Sequence, residues 1–346
     1  MGEVLAIGML SGGLDSTLAT RVLLDQRIQI KGMHFNTGFC FVDHRRQLAR
    51  TDENPQRLIN PVTHLATTFA IPIDIIDIKQ EYLDVLRHPK YGYGKNMNPC
   101  IDCRIMTMTK ARQRMEECGA DFVFTGEVLG QRPMTQHRQT MLMVEAKSGL
   151  KGKLLRPLSA KLLPETEPER KGLVDRNRLH DFSGRSRKPQ LALAEHYDLT
   201  DFPQPAGGCC FLTDPVYSRK LKDLFAHKNP DDCSARDFLL LMVGRHLRVS
   251  PDLKVIVGRN EHENLYLDSI AGSATRLETV GVVGPVVLAE GLLTEENLQL
   301  AAEITARYSD GKDQSHLEVS IRSDAGERLI EVTPKSPETV AQWVIS

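Results

Sequence analysis

Two cysteines three residues apart, Cys100 and Cys103 in NPCIDCR, and an adjacent pair, Cys209 and Cys210 in PAGGCCFLTD, carry the most reactive side chains of the sequence. A C-x-x-C pair alone is compatible with half a zinc site, a redox pair or part of an iron–sulfur cluster. Adjacent cysteines rarely reach one metal from the same side, so the second pair is expected to add one thiolate, giving three. Structural zinc takes four protein ligands, and the near loop adds only His88. A redox pair belongs at a helix start, where Cys100 and Cys103 lie, but leaves Cys209 without a task. A cubane held by three cysteines keeps one iron open to exogenous hydrosulfide. Cys118 is expected in a core, and Cys233 in a polar stretch without a partner.

A second chemistry lies in LSGGLDSTLA, residues 10–19. Placed between a strand and a helix, this loop directs backbone N–H groups outward, and the helix dipole favours an anion there. Gly12 and Gly13 let the backbone approach phosphate oxygens, while Ser11 and Ser16 offer hydroxyls. Asp15 does not suit a bare phosphate and is assigned to a magnesium ion carried with it. No Lys follows the glycines, so this is not a Walker loop. The alternative is a Gly-rich turn without a ligand.

The elements that must position these groups alternate in type. VLAIGML (4–10), QIKGMHFNT, IPIDIIDI (71–78) and DFVFTG (121–126) are expected strands, separated by helices around Thr17–Asp25 and 61–70 and by one carrying Ile105, Met108, Ala111 and Met115. Such alternation predicts an α/β fold, a parallel sheet with helices on both faces. The methionine stripe is expected to be core. Segment 145–190 is expected to be exposed and partly irregular. The predicted organisation is a first domain over 1–215, a helical linker over 216–244 and a smaller α+β module over 245–346 with a hairpin around Asp324–Gly326. Neither internal repeats nor low-complexity tracts occur.

Composition describes an ordinary globular chain: 41% hydrophobic and 26% charged residues over 346 positions. No apolar run approaches the length of a bilayer span, and the N-terminus lacks a secretion signal. Seven cysteines in such a chain suit a reducing compartment, so a cytoplasmic location is expected. Net charge is −1, yet unevenly spread. Residues 151–190 hold eleven Lys or Arg against five acids, whereas fifteen acids face six bases from 260 onward. The middle suits a polyanion and the tail resists one.

S-G-G-L-D-S after a first strand resembles the PP-loop of the ATP pyrophosphatase family. That resemblance implies ATP and Mg²⁺, cleavage between the α- and β-phosphates, and transfer of AMP to an acceptor oxygen. It also places adenine near the backbone of Phe35; His34 is expected to be structural. TGEVLGQ (125–131) resembles the adenylation domain of 4-thiouridine synthetases, implying nucleotide contacts at Gly126 and Gln131, while Glu127 is either part of them or a helix N-terminal acid. A THUMP-type tRNA-binding domain and a rhodanese module, both associated with that class, are not expected here. The three-cysteine set is similar to that of iron–sulfur PP-loop tRNA thiolases. This implies a labile [4Fe-4S] cluster on Cys100, Cys103 and Cys209, with Cys210 as substitute, and makes Asp15 and these cysteines the catalytic set. VIVGRNEHENLYLDSIA and EENLQLAAEITARYS resemble the NFACT RNA-binding domain, with Arg245, His246, Arg248, Lys254 and Arg259 as a candidate patch.

The expected activity is therefore an ATP-dependent tRNA sulfurtransferase forming 4-thiouridine, with inorganic sulfide or a cysteine-desulfurase-derived donor as sulfur source and no membrane partner. Alternatives are another PP-loop enzyme (a 2-thiouridylase, or a small-molecule ligase or amidotransferase) and a zinc-containing ATP-binding RNA-handling factor. For the tail, the alternative is a dimerisation module, which would make the protein a homodimer.

Overall fold

The computed structural model describes residues 3–40, 60–200, 202 and 210–345, which fall into two compact units, the second beginning at Cys210. The first is built on five parallel strands: β1 (Leu5–Met9), β2 (Gln29–Asn36), β3 (Ile73–Asp77), β4 (Phe122–Thr125) and the two-residue β5 (Leu154–Leu155). Their order is β3-β2-β1-β4-β5, so β1 is flanked by β2 on one side and β4 on the other. The order in which strands are added reverses between β1 and β4, and the gap at their C-terminal ends is where such sheets bind ligands.

The helices of this unit are α1 (Leu14–Leu24), α2 (Pro61–Phe69), α3 (Lys79–Arg87), α4 (Cys100–Cys118), α5 (Arg138–Lys147), the single turn α6 (Glu167–Arg170) and α7 (Lys188–His196). One core lies under α1 and α7, with Leu14, Leu18, Val22, Phe122, Phe124 and Ala194 packed together. The other lies under α4 and α5, where Ile7, Met33, Met108, Ala111, Met115 and Val144 meet. Covering both faces suits the wholly apolar β1 and the buried β4, whereas β2 and β3 carry polar residues such as Lys31, Asp74 and Asp77. The methionine stripe is core, as its spacing implied.

Segment 145–190 departs from its expected exposure. Leu154, Leu155 and Arg156 are buried, as are Leu158, Val174 and Leu179. The cause is β5, which pairs with Val123 and Phe124 and draws its flanks under the sheet edge.

The second unit holds α8 (Pro215–His227), α9 (Ala235–Leu240), β6 (Arg245–Ser250), β7 (Leu253–Val257), α10 (Glu261–Ser269), β8 (Thr275–Thr279), β9 (Val287–Gly291), α11 (Glu295–Arg307), β10 (Leu317–Ser323), β11 (Gly326–Val332) and α12 (Pro337–Trp343). Its six antiparallel strands run β11-β10-β8-β9-β7-β6, with the expected hairpin joining β10 and β11. Ala301, Ala302, Ile304 and Ala306 of α11 pack with Val255, Leu277, Val287 and Val319 from the sheet. The expected linker 216–244 is integral to this unit. Tyr217 Oη donates to the Phe238 carbonyl, and Lys220 Nζ donates to the carbonyls of Leu241 and Gly244 at 3.1 and 3.0 Å. Burial pulls Lys220 down to about 7, with Arg259 adding to the effect and Glu263 opposing it. No helix among the described residues is long and apolar enough to cross a membrane.

Candidate active site

The loop between β1 and α1 opens at the reversal point of the sheet. Gly12 has φ +72°, and a Cβ there would lie 2.5 Å from the carbonyl carbon of Pro61, the first residue of α2. Only glycine fits both constraints. Gly13 is the N-cap of α1, and no side chain among the described residues caps that helix. Ser16 Oγ and Thr17 Oγ1 instead donate back to the Gly13 carbonyl, at 2.9 and 3.1 Å. Ser11 Oγ lies 3.4 Å from Ser16 Oγ. The first amides of α1 therefore present a concave, electropositive surface to an anion.

Asp15 sits within this surface. Its Oδ2 accepts from Gln131 Nε2 at 3.0 Å, while its buried Oδ1 has no hydrogen-bond partner. Burial pushes the carboxyl above its ordinary value; the Gln131 bond and the charges of Arg187 and Arg132 pull it back without overcoming that cost. An orphaned hard oxygen beside a phosphate-sized cradle fits Mg²⁺. Gly126 is fixed by the same neighbourhood, because a Cβ there would fall 2.5 Å from the Asp15 carbonyl carbon and Ser16 nitrogen. Thus the β4 turn lies directly on the start of α1, and Gln131, expected at the nucleotide, is engaged with Asp15. Phe35, on β2, is half-buried against the α4 core, and His34 Nδ1 lies 2.9 Å from the Leu10 carbonyl, as a structural histidine would.

Glu127 is not a helix-start acid, since the next helix begins at Arg138. It is buried, with Oε1 3.0 Å from Arg104 and Oε2 3.2 Å from Arg156, and Arg156 continues to Glu145 at 2.8 Å. Burial alone would raise this carboxyl, but Arg104 and Arg156 outweigh it and hold it below the usual value. The signal missed in the sequence is Arg104, one residue after Cys103.

Cys100 and Cys103 occupy the first turn of α4, one helical turn apart on a shared face. Asn98 Nδ2 donates to Cys100 Sγ at 3.0 Å and also contacts Met134 Sδ, within the loop that carries Gln131. Asp102 secures the preceding loop by accepting from the amides of Lys90 and Tyr91, both at 3.0 Å. Contacts thus run from Cys100 through Asn98 to the 131–136 loop, and from Gln131 to Asp15. Cys209 lies outside the described residues, and Cys210 begins the second unit. Among the described residues no group of three His, Cys, Asp or Glu side chains converges on a metal position. The soft donors at 100 and 103 are nonetheless suited to a thiophilic cluster. Cys118 packs against the α4 core, and Cys233 is not the unpartnered residue expected: it is buried and its Sγ donates to the Asn229 carbonyl at 3.5 Å.

The basic patch expected in the tail is committed internally. His246 is buried with Nε2 against the Leu240 and Val243 carbonyls, and burial drives it well below its usual value. Arg248 grips Asp223 with two bonds, of 2.9 and 2.8 Å, and the buried Lys254 lies 3.6 Å from the same carboxylate. Arg259 pairs with Glu263, and Arg245 stacks 4.7 Å from the Tyr308 ring centroid.

Residues 4–151 match the family model described as the tRNA methyl transferase HUP domain. The first unit has a HUP, PP-loop-like fold. The chain is similar to curated tRNA-specific 2-thiouridylases MnmA. That of Petrotoga mobilis is 28% identical over 129 residues, 35% of this chain and 34% of its own. That of Amoebophilus asiaticus is 25% identical over 224 residues, covering 62% and 54%. The chain spans about a third of the length of several of these relatives. Among solved structures, a 4-thiouridine synthetase–RNA complex with bound ATP aligns with TM-score 0.34 and 18% identity, over 58% of this chain and 54% of that one. Residues 244–344 match the model for the NFACT protein RNA binding domain.

Proposed function

We propose that the protein is an ATP-dependent tRNA sulfurtransferase that adenylates a uridine carbonyl and replaces its oxygen with sulfur. The observation that carries this is Asp15, buried with an unpartnered oxygen at the uncapped start of α1, beside two glycines. The amides of Gly13 to Ser16 bind the triphosphate, and Asp15 would hold Mg²⁺, whose charge would offset that of the departing pyrophosphate. The uridine carbonyl oxygen attacks the α-phosphorus and pyrophosphate leaves. A sulfur nucleophile then adds to the activated carbon, and AMP departs with the former carbonyl oxygen. Gln131 keeps Asp15 oriented, while Asn98 places a donor on Cys100. An iron–sulfur cluster, for which Cys100 and Cys103 and, on the sequence pattern, Cys209 (Cys210 as substitute) are the proposed ligands, would supply a binding position for exogenous sulfide. The match of residues 244–344 to an RNA-binding model supports tRNA as substrate.

The T-G-E-x-L-G-Q segment supports 4-thiouridine as product. A second reading, 2-thiouridine, is favoured by the names of the curated relatives. Nucleoside mass spectrometry of tRNA incubated with the protein, ATP, Mg²⁺ and sulfide under anaerobic conditions separates them. Absence of any thiolated nucleoside together with absence of pyrophosphate release rejects both. Cys100→Ala is expected to retain ATP binding and lose thiolation; full thiolation by that variant removes Cys100 from the sulfur-handling set.

A further inference from the structure

Several basic residues of 151–190 are spent inside the first unit. Arg156 is buried between Glu127 and Glu145, and Arg176 pairs with Glu169. Arg170 and Arg178 donate to the carbonyls of Glu165 and Asp25. Arg187 has no carboxylate at ion-pair distance among the described residues, and neither does Arg132 in the loop after β4; the charges of both reach Asp15.

The position of Arg187 is built by the fold. Ser183 forms a parallel bridge with Leu129, and the Gly184 amide donates to the Leu129 carbonyl at 2.7 Å. Leu129 is itself held by Ser159 Oγ at 2.9 Å. The entry to α7 is therefore stitched to the turn after β4, and Ala194 and Leu193 seat α7 in the core that α1 shares. Arg187 is the N-cap of α7. Gln190, in the first turn, is fully buried beside Asp15, whose carboxyl it helps to hold down, but neither its amide nitrogen nor its oxygen makes a hydrogen bond of ordinary length and angle. A buried amide left short of full hydrogen bonds is costly unless a ligand completes it.

We propose that Ser183–Gln190 forms a third wall of the nucleotide site, in which Arg187, assisted by Arg132, binds the β- and γ-phosphates of ATP and Gln190 completes the polar shell around Asp15. This rests on the reading that the site takes ATP. Placing a polyanion against a buried carboxylate requires compensating cations beyond one metal ion. Guanidinium forks match phosphate oxygens and stay charged at any working pH.

Titration of the full chain with ATP, with AMP (each with Mg²⁺) and with tRNA tests this. Arg187→Ala is expected to weaken ATP binding roughly tenfold or more, the scale of one lost charge-assisted contact. Affinity for AMP and tRNA should hold, and Arg187→Lys should recover part of the loss. Unchanged ATP affinity overturns the inference, as does an equal loss for AMP, which marks a structural role. Loss of tRNA affinity with ATP binding retained assigns the cation to RNA phosphates instead. If the parent protein binds no ATP, the functional reading fails with the inference; if it does and the variant matches it, only the inference fails.

Discussion

At the scale of single residues, Asp15 sets function against stability. Its carboxyl is raised in the folded protein, so the folded state holds that proton more tightly than the unfolded chain. Stability from this group is then full below the ordinary carboxylate range and is lost as pH rises through the folded value. Asp15→Asn is expected to melt at higher temperature than the parent at neutral pH without nucleotide, and to lose pyrophosphate release. Thermal unfolding and a pyrophosphate assay check this; a lower melting temperature would show that the charge is not a net cost. Ser11 to Ser16 were legible because a phosphate loop is contiguous and its glycines have steric reasons to be there. Arg187 and Gln190 were not. They reach the loop from more than 170 residues away, in a stretch whose composition suggests only a basic surface.

At the scale of elements, the decisive contact is the β4 turn against the start of α1. Gly126→Ala drives a methyl into the Asp15–Ser16 backbone. The expected result is a loss of about 1–3 kcal/mol in stability, the usual cost of overpacking, and a larger loss of ATP turnover as the loop shifts. Chemical denaturation and AMP formation measure the two; a stable, active variant would mean the turn can slide off α1. The parallel strands were readable from their apolar runs and intervening helical periodicity. β5 was not, since two residues carry no pattern, and its omission is why 145–190 looked exposed. Glu127 illustrates the same limit: its partners Arg104 and Arg156 lie 23 and 29 positions away, beyond any local signature.

At the scale of the molecule, the second unit combines an acidic surplus with a candidate patch whose cations already have partners. Arg248→Ala should therefore lower stability by about 1–3 kcal/mol, by exposing Asp223 to the loss of two charge-assisted bonds. The dependence of tRNA affinity on salt should stay the same, because a residue bound to Asp223 contributes no phosphate contact. A shallower salt dependence in that variant would return Arg248 to the RNA surface. The tail's hairpin and helices were visible in the sequence, but which of its arginines face inward depends on pairing across the sheet. In the first unit, the chain Arg104–Glu127–Arg156–Glu145 ties the helix bearing Cys100 and Cys103 to the turn that rests on the phosphate loop. It acts as an internal strut. The separation between the paired cysteines and the phosphate loop is thereby set when the chain folds, so in the proposed reaction it is the substrate base that would travel to meet both.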